Sequence, residues 1–472
     1  MKKWLKPLPG IVLTAALMVG CAGDDGAAGP QGPQGPQGPQ GPQGDAGQDG
    51  QNYQAWAWVG SNGSSCYGCH SGKVQDWMGT GHPNAFTTLV TAGQSNNPYC
   101  LQCHTVGWDA PVAFGDTTVT DHGLDHSGYD DFWPAQNTDD TARLHALEGV
   151  QCENCHGSMG PGIYQHNPQV SLATRFENGQ SLSPCASCHG EQMAQWHEGA
   201  HGSYYERTGH TVEEYAAEWN RTACWECHGA EGFISKFDPD YAGMLPGATL
   251  DLVGCVACHD PHNATNTAQL RTMADFSVVY DVVPATFTGR GASQLCAQCH
   301  HARRTVANVN SQIFNNGTLR GPHESPQMDM MLGAGSYEIP GYTYTRTATH
   351  NVIQNPCVTC HMEVTSPHGY PLHDHTFHAT TTACTGCHPG LTNFDFNGGQ
   401  TAISNLMGQI EAHFGATGDQ LSDTVWNAQL TAREREAVYA YLYVKNDGSR
   451  GVHNPNYART LLQNALHYLQ NP

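Results

Sequence analysis

Positive charge is scarce in this sequence. Twenty Lys and Arg stand against 42 Asp and Glu, for a formal charge of −22, and that balance excludes a nucleic-acid backbone as partner. Charge of either sign is thin, at 13% of 472 residues, while glycine is plentiful at 54; the chain therefore reads as loop-rich and long enough for several lobes. The apolar run near the start, Ile11–Val19, is too short to cross a bilayer as a helix. Cysteine is nearly confined to one pattern. Of 19 cysteines, only Cys21 stands apart.

The other eighteen form nine copies of Cys-x-x-Cys-His. These are Cys66/Cys69/His70, Cys100/Cys103/His104, Cys152/Cys155/His156, Cys185/Cys188/His189, Cys224/Cys227/His228, Cys255/Cys258/His259, Cys296/Cys299/His300, Cys357/Cys360/His361 and Cys384/Cys387/His388. Two thiols at this spacing can reach the two vinyl groups on one porphyrin edge. The next residue, a histidine, is then held under the ring as an axial ligand of iron. Paired Cys-x-x-Cys motifs also build zinc knuckles, but zinc needs no His after the second Cys. Histidine makes up 28 of 472 residues, roughly 6%, yet fills that position nine times in nine. The same count disposes of a disulfide framework. The expected cofactor is nine covalently bound haems c.

Nineteen histidines remain for the opposite face of the irons. A second imidazole gives a six-coordinate, low-spin iron suited to electron transfer, whereas a missing one leaves a place for substrate. Eight distal candidates are His82, His166, His201, His262, His323, His350, His375 (with His373 as rival) and His453. The ninth comes from His122, His126, His145, His210, His301, His368 or His378. Sequence does not say which histidine serves which iron.

The amino terminus reads as an export signal over residues 1–20: a basic start, a short apolar run, then Met18-Val19-Gly20-Cys21. This resembles the lipobox of bacterial lipoproteins, which implies lipid on Cys21; Ala22 after it implies the outer membrane. Glycine then recurs at every third position from Gly23 to Gly50, with five Gly-Pro-Gln triplets over 29–43. Only Gly fits the crowded axis of a collagen triple helix, which forces that period. Two readings of residues 21–52 stay open, a trimeric triple-helical stalk and a monomeric extended spacer. Either spans roughly 3 Å per residue, on the order of 80 Å.

The haem region shows internal repetition. Trp77 and His82 follow motif one at the spacing with which Trp196 and His201 follow motif four. Leu147-x-x-Val150 precedes motif three as Leu250-x-x-Val253 precedes motif six. Trihaem modules are expected over 53–175, 176–275 and, less similar, 276–395. Residues 396–472 differ: Thr431–Val444 has helical composition with Thr431 as N-cap, and Asn454–Leu469 carries Tyr457, Leu461, Leu462, Ala465 and Leu469 on one side. The expected fold is mostly α and irregular coil with little β, closed by a C-terminal helical hairpin and preceded by a collagen-like stalk.

The segments Trp58–His82 and Gly149–Gly157 resemble the modules of c-554-type multihaem cytochromes. Gly451–Ala458 resembles the closing helix of pentahaem nitrite reductases and of proteins like octahaem hydroxylamine oxidoreductase. The resemblance implies closely packed haems forming a chain of electron hops. Those nitrite reductases carry Cys-x-x-Cys-Lys at the catalytic haem; here all nine motifs end in His, so nitrite reduction does not carry over. The expected role is a surface-anchored conduit in extracellular electron transfer, on the outer membrane with the cell surface favoured over the periplasmic face. It would work between other cytochromes and an external acceptor. The alternative is a multihaem reductase or oxidase of a small nitrogen or sulfur compound, with Arg303 and Arg304 as the sequence hint of a pocket.

Overall fold

A Cys-x-x-Cys-His segment wound as one helical turn brings its two sulfurs to one side, with the histidine next in line. The computed structural model has this arrangement at most motifs. Motif one opens the helix Ser64–Met78, whose backbone departs from helical geometry at His70. Motifs two, three, five, six and eight sit on the short helices Pro98–His104, Cys152–His156, Thr222–His228, Cys255–Cys258 and Pro356–His361. Motifs four and nine use the 3-10 turns Pro184–Ser187 and Thr382–Cys384, and motif seven begins in Ser293–Ala297. Several of these turns are pre-set by proline at their start (Pro98, Pro184, Pro356). Asn97 and Ser183 cap two of them by accepting from Tyr99 N and Cys185 N.

The structure describes residues 58–110, 127–158, 176–177, 180–181, 183–219, 221–238, 251–278, 286–315, 319–366 and 371–471. The export signal, Cys21 and the glycine-periodic segment lie outside the described residues, as do His122, His126, His166 and His368. Strand is nearly absent among the described residues. It is limited to three antiparallel pairs of two residues each: Phe176–Glu177 with Gln180–Ser181, Phe276–Ser277 with Thr286–Phe287, and Val364–Thr365 with Leu372–His373. The protein is mostly helical with long irregular connections.

The largest apolar core lies at the carboxyl end. The helices Gly399–Phe414, Ala432–Asp447 and Pro455–Gln470 share it. A capping box starts the middle helix, with Thr431 Oγ accepting from Glu434 N and the Glu434 carboxylate accepting from Thr431 N. That helix is buried on nearly every side, Tyr439, Tyr441 and Tyr443 included, the pattern of a central helix rather than a surface one. Its charged residues are answered in place: Arg435 Nε donates to Ile313 O (2.7 Å), and Glu436 accepts from Tyr337 and Tyr468 hydroxyls (2.6 and 2.8 Å). The last helix buries Tyr457, Leu461, Leu462, Ala465 and Leu469.

Residues 52–472 form one compact unit. Around the motifs the apolar clusters are small, such as Leu89, Leu101, Val106, Tyr129, Leu144 and Leu147. The repeated tryptophans make equivalent bonds: Trp77 Nε1 donates to Val150 O (3.2 Å) and Trp196 Nε1 to Val253 O (3.1 Å). Each thus ties the turn after one motif to the strand of chain that enters another.

Candidate functional site

Seven of the nine motif histidines face a second histidine across a gap of constant width. The ring centroids are 6.4 Å apart for His189 and His82, 6.3 Å for His156 and His262, 6.1 Å for His300 and His201, and 6.0 Å for His228 and His323. The remaining separations are 6.3 Å for His259 and His375, 6.2 Å for His388 and His350, and 6.2 Å for His361 and His453. An imidazole nitrogen binds a first-row metal ion at about 2.0–2.1 Å and lies about 1.1 Å from its own ring centre, so two trans imidazoles have centres about 6.2–6.4 Å apart. The gaps therefore fit one iron each.

Six of the seven partners come from another motif's neighbourhood, and His453 comes from just before the last helix. His82, which follows motif one, faces motif four; His201, which follows motif four, faces motif seven. Of the eight sequence candidates, seven stand in such pairs, and His166 lies outside the described residues. His375, not His373, faces His259; His373 Nδ1 instead bonds Met362 O (3.0 Å). Among the reserve candidates, His145 bonds Glu148, His210 pairs with Glu218, and His301 packs on Phe276. His378 lines the cavity described below.

The rings are oriented by their other nitrogen. Nδ1 meets a backbone carbonyl at His104 (Ala85 O, 2.6 Å), His259 (Ala268 O, 2.7 Å), His350 (Val452 O, 2.6 Å), His361 (Phe377 O, 3.0 Å) and His375 (His373 O, 2.8 Å). A carbonyl only accepts, so Nδ1 carries the proton and the Nε2 lone pair is free for a metal. Gln327 Oε1 serves His300 (3.2 Å) and Ser325 Oγ serves His323 (3.1 Å). The Ser325 hydroxyl already donates to His301 O, so toward His323 it accepts. Asp447 serves His453 through its carboxylate (2.6 Å). These anchoring side chains were missed in the sequence; Asp447 stands there only as part of the helix-ending Asn446-Asp447-Gly448.

At nine of these rings burial favours the neutral form, the form a metal ligand must have. It pulls His201 and His323 down to about 4, and holds His82, His189, His228, His259, His300, His361 and His375 below the usual value. His453 differs. Burial pulls it down, but the Asp447 carboxylate outweighs burial and favours its charged form.

All nine motif histidines and all seven facing histidines line one continuous cavity of about 4080 Å³. An ordinary small-molecule pocket has about 300–1,000 Å³, so this space suits several large groups. All the motif cysteines except Cys224 line it too, and none is in a disulfide among the described residues. Nor, among the described residues, do three or more His, Cys, Asp or Glu converge as a zinc knuckle would need. The residues fit haem. Arg303 also lines the cavity, beside the His228–His323 pair, whereas Arg304 does not.

Neighbouring motifs lie side by side at their cysteines: Cys188 Sγ is 3.8 Å from Cys103 O, and Cys299 Sγ is 3.7 Å from Glu226 O. Cys66 is within hydrogen-bonding reach of Cys152, Cys103 of Cys188, Cys185 of Cys255, Cys227 of Cys299 and Cys296 of Cys357. Cys155 lies near Cys185, Cys258 near Cys296, and Cys360 near Cys384. These proximities connect the motifs in the order one, three, four, six, seven, eight, nine. Motif two adjoins four, and motif five adjoins seven.

Comparison with known proteins points to multihaem cytochromes. Residues 65–126 and 184–260 match the family described as cytochrome c554 and c-prime. The chain is similar to the C-type polyheme cytochrome OmcC of Geobacter sulfurreducens, with 25% identity over 355 residues, 69% of this chain and 39% of that protein. It is also similar to the C-type polyheme cytochrome OmcB of the same organism, with 26% identity over 219 residues, 36% of this chain and 29% of that protein. The matched stretch thus spans well under half the length of either relative. Among solved structures, the outer cell wall cytochrome OcwA matches with a TM-score of 0.52 at 17% identity, over 88% of this chain and all of that one. The fold is that of multihaem c-type cytochromes, and haem c is the cofactor.

Proposed function

We propose that this chain carries nine haems c, each held between two histidines, and works as an electron-transfer conduit rather than as an enzyme. The observation behind this reading is the set of seven histidine pairs at 6.0–6.4 Å around one cavity. Bound haem supplies one-electron iron chemistry. The protein's part would be to hold each haem between the two histidines of a pair, leaving no open place for substrate. It also crowds the attachment turns together, so that no hop crosses a wide stretch of protein. His70 and His104 complete the nine, with His166 and the remaining candidates His122, His126, His368 and His378 as histidines available to face them.

In the same reading, residues 53–175, 176–275 and 276–395 are three haem-bearing modules. The equivalent bonds of Trp77 and Trp196 support the first two. The modules are not independent, because each of the first two lends a distal histidine to the next: His82 to motif four and His201 to motif seven. Lipid on Cys21 would tether the chain to the outer membrane, with the glycine-periodic segment carrying the haem region outward toward other cytochromes or an external acceptor.

The test is optical and EPR spectroscopy of the purified ferric protein, with carbon monoxide added after reduction. Nine low-spin haems and no carbon monoxide adduct are expected. A high-spin haem, or one that binds carbon monoxide, would make the relay end at an open iron and turn the protein into a candidate reductase.

A further inference from the structure

Among the oriented rings, most Nδ1 atoms meet neutral partners, either carbonyls or the side chains of Gln327 and Ser325. Two face carboxylates. Asp260 Oδ1 stands 3.6 Å from His262 Nδ1, but this carboxylate is 22% exposed and shared with Arg271, whose Nη1 lies 3.3 Å from Oδ2. Asp447 is different. Its side chain is fully buried, its Oδ1 is 2.6 Å from His453 Nδ1, and His453 is its one ionic partner among the described residues. Its other oxygen accepts from the Ser449 hydroxyl and backbone N–H, and Ser449 Oγ in turn accepts from His453 N. This knot fixes both the ring and the charge beside it.

A carboxylate that takes the Nδ1–H hydrogen bond draws the proton away and makes Nε2 a stronger electron donor. A stronger donor favours ferric over ferrous iron and lowers the potential. In a dry site the effect is not screened by water.

We propose that Asp447 is a positioning residue that sets the potential of the haem held between His361 and His453, keeping it more reducing than a neutral partner on His453 would. The site occupies a place where this matters. Motif eight lies between motif seven, through the Cys296–Cys357 contact, and motif nine, through Cys360 and Cys384. Motif eight thus joins motif nine to motif seven, and Asp447 sets the height of that step.

This inference rests on the two-histidine reading of motif eight, and two variants separate the failures. In Asp447→Asn the amide oxygen can still accept from Nδ1, but the charge is gone. The expected result is nine haems by pyridine haemochrome, an unchanged low-spin spectrum, and one redox component shifted upward. The shift should reflect at least a tenfold loss of ferric preference, 59 mV for one electron. Potentials identical to the parent protein would overturn the proposal. So would loss of a haem or a high-spin haem in this variant, because Asp447 would then be holding the fold and not the potential. In His453→Ala one haem is expected to become high-spin. If all stay low-spin, the ligand reading fails and the proposal falls with it.

Discussion

In the proposed two-histidine reading, a single buried histidine decides whether an iron is closed or open. His201 is enclosed beside Phe377, at 4.9 Å between ring centres, and faces His300 at 6.1 Å. Replacing it with alanine removes the ring and leaves no other imidazole in that pair. His201→Ala is expected to convert one haem in nine to high-spin and to create carbon monoxide binding after reduction, while haem content stays the same because the thioether cysteines are untouched. An unchanged spectrum would show that His201 is packing and not a ligand.

Buried acids act at the same scale but on stability. Asp329 is fully buried, and burial pushes its carboxyl up to about 7 against the lowering effect of its bond from Ala302 N. Below its unfolded value of 3.8 both states are protonated. As pH rises from about 4 to about 7, the unfolded chain ionises while the folded one keeps its proton, so stability falls through that window, by on the order of 4 kcal/mol at most. Asp329→Asn keeps an acceptor for Ala302 N and has no charge to bury. Denaturant titrations between pH 4 and 8 should show a shallower loss of stability in the variant than in the parent, and equal slopes would refute the assignment.

At the scale of elements, the carboxyl-terminal helices carry the core that haem does not supply. Thr431→Ala removes the cap of the helix Ala432–Asp447 and should cost about 1 kcal/mol, without altering haem content. Leu461→Ala opens a cavity in a side chain with no exposure and should cost roughly 2–5 kcal/mol. Thermal unfolding followed in the far ultraviolet checks both, and the order of the two losses is the useful part. If the cap mattered more than the core, these helices would be held by local signals and not by packing.

These helices also show what a sequence can reveal. The Thr431–Glu434 box and the buried face of Tyr457, Leu461 and Leu462 are written in neighbours three and four residues apart, so they are legible locally. The attachment motifs are legible for the same reason. The pairing of His82 with His189, or of His375 with His259, is set by how the chain folds back on itself and leaves no periodic trace. The repeats hint at it: Trp77 and Trp196 recur at fixed spacing before His82 and His201, and both tryptophans bond the segment that leads into a later motif. The role of Asp447 was hidden because Asn446-Asp447-Gly448 is an ordinary helix ending until His453 is seen against it.

For the whole molecule, the proposed relay and the proposed tether occupy different stretches of the chain. Residues 52–472 form one compact unit, and its histidine pairs lie entirely within it, so removing residues 21–51 should leave every haem spectrum and potential in place. What should change is association. Ten glycines in phase over Gly23–Gly50 suit a triple helix, since each third position must sit at the axis. A chain that starts at Asn52 and is exported with a cleavable signal should therefore be monomeric by light scattering, while the delipidated full-length chain is trimeric. Replacing Gly35 and Gly38 by alanine in the full chain offers a milder version, expected to lower the thermal midpoint of the trimer while leaving the haem region intact. If the full chain is monomeric as well, the glycine period serves as an extended spacer, and each haem line exchanges electrons alone and not beside two copies.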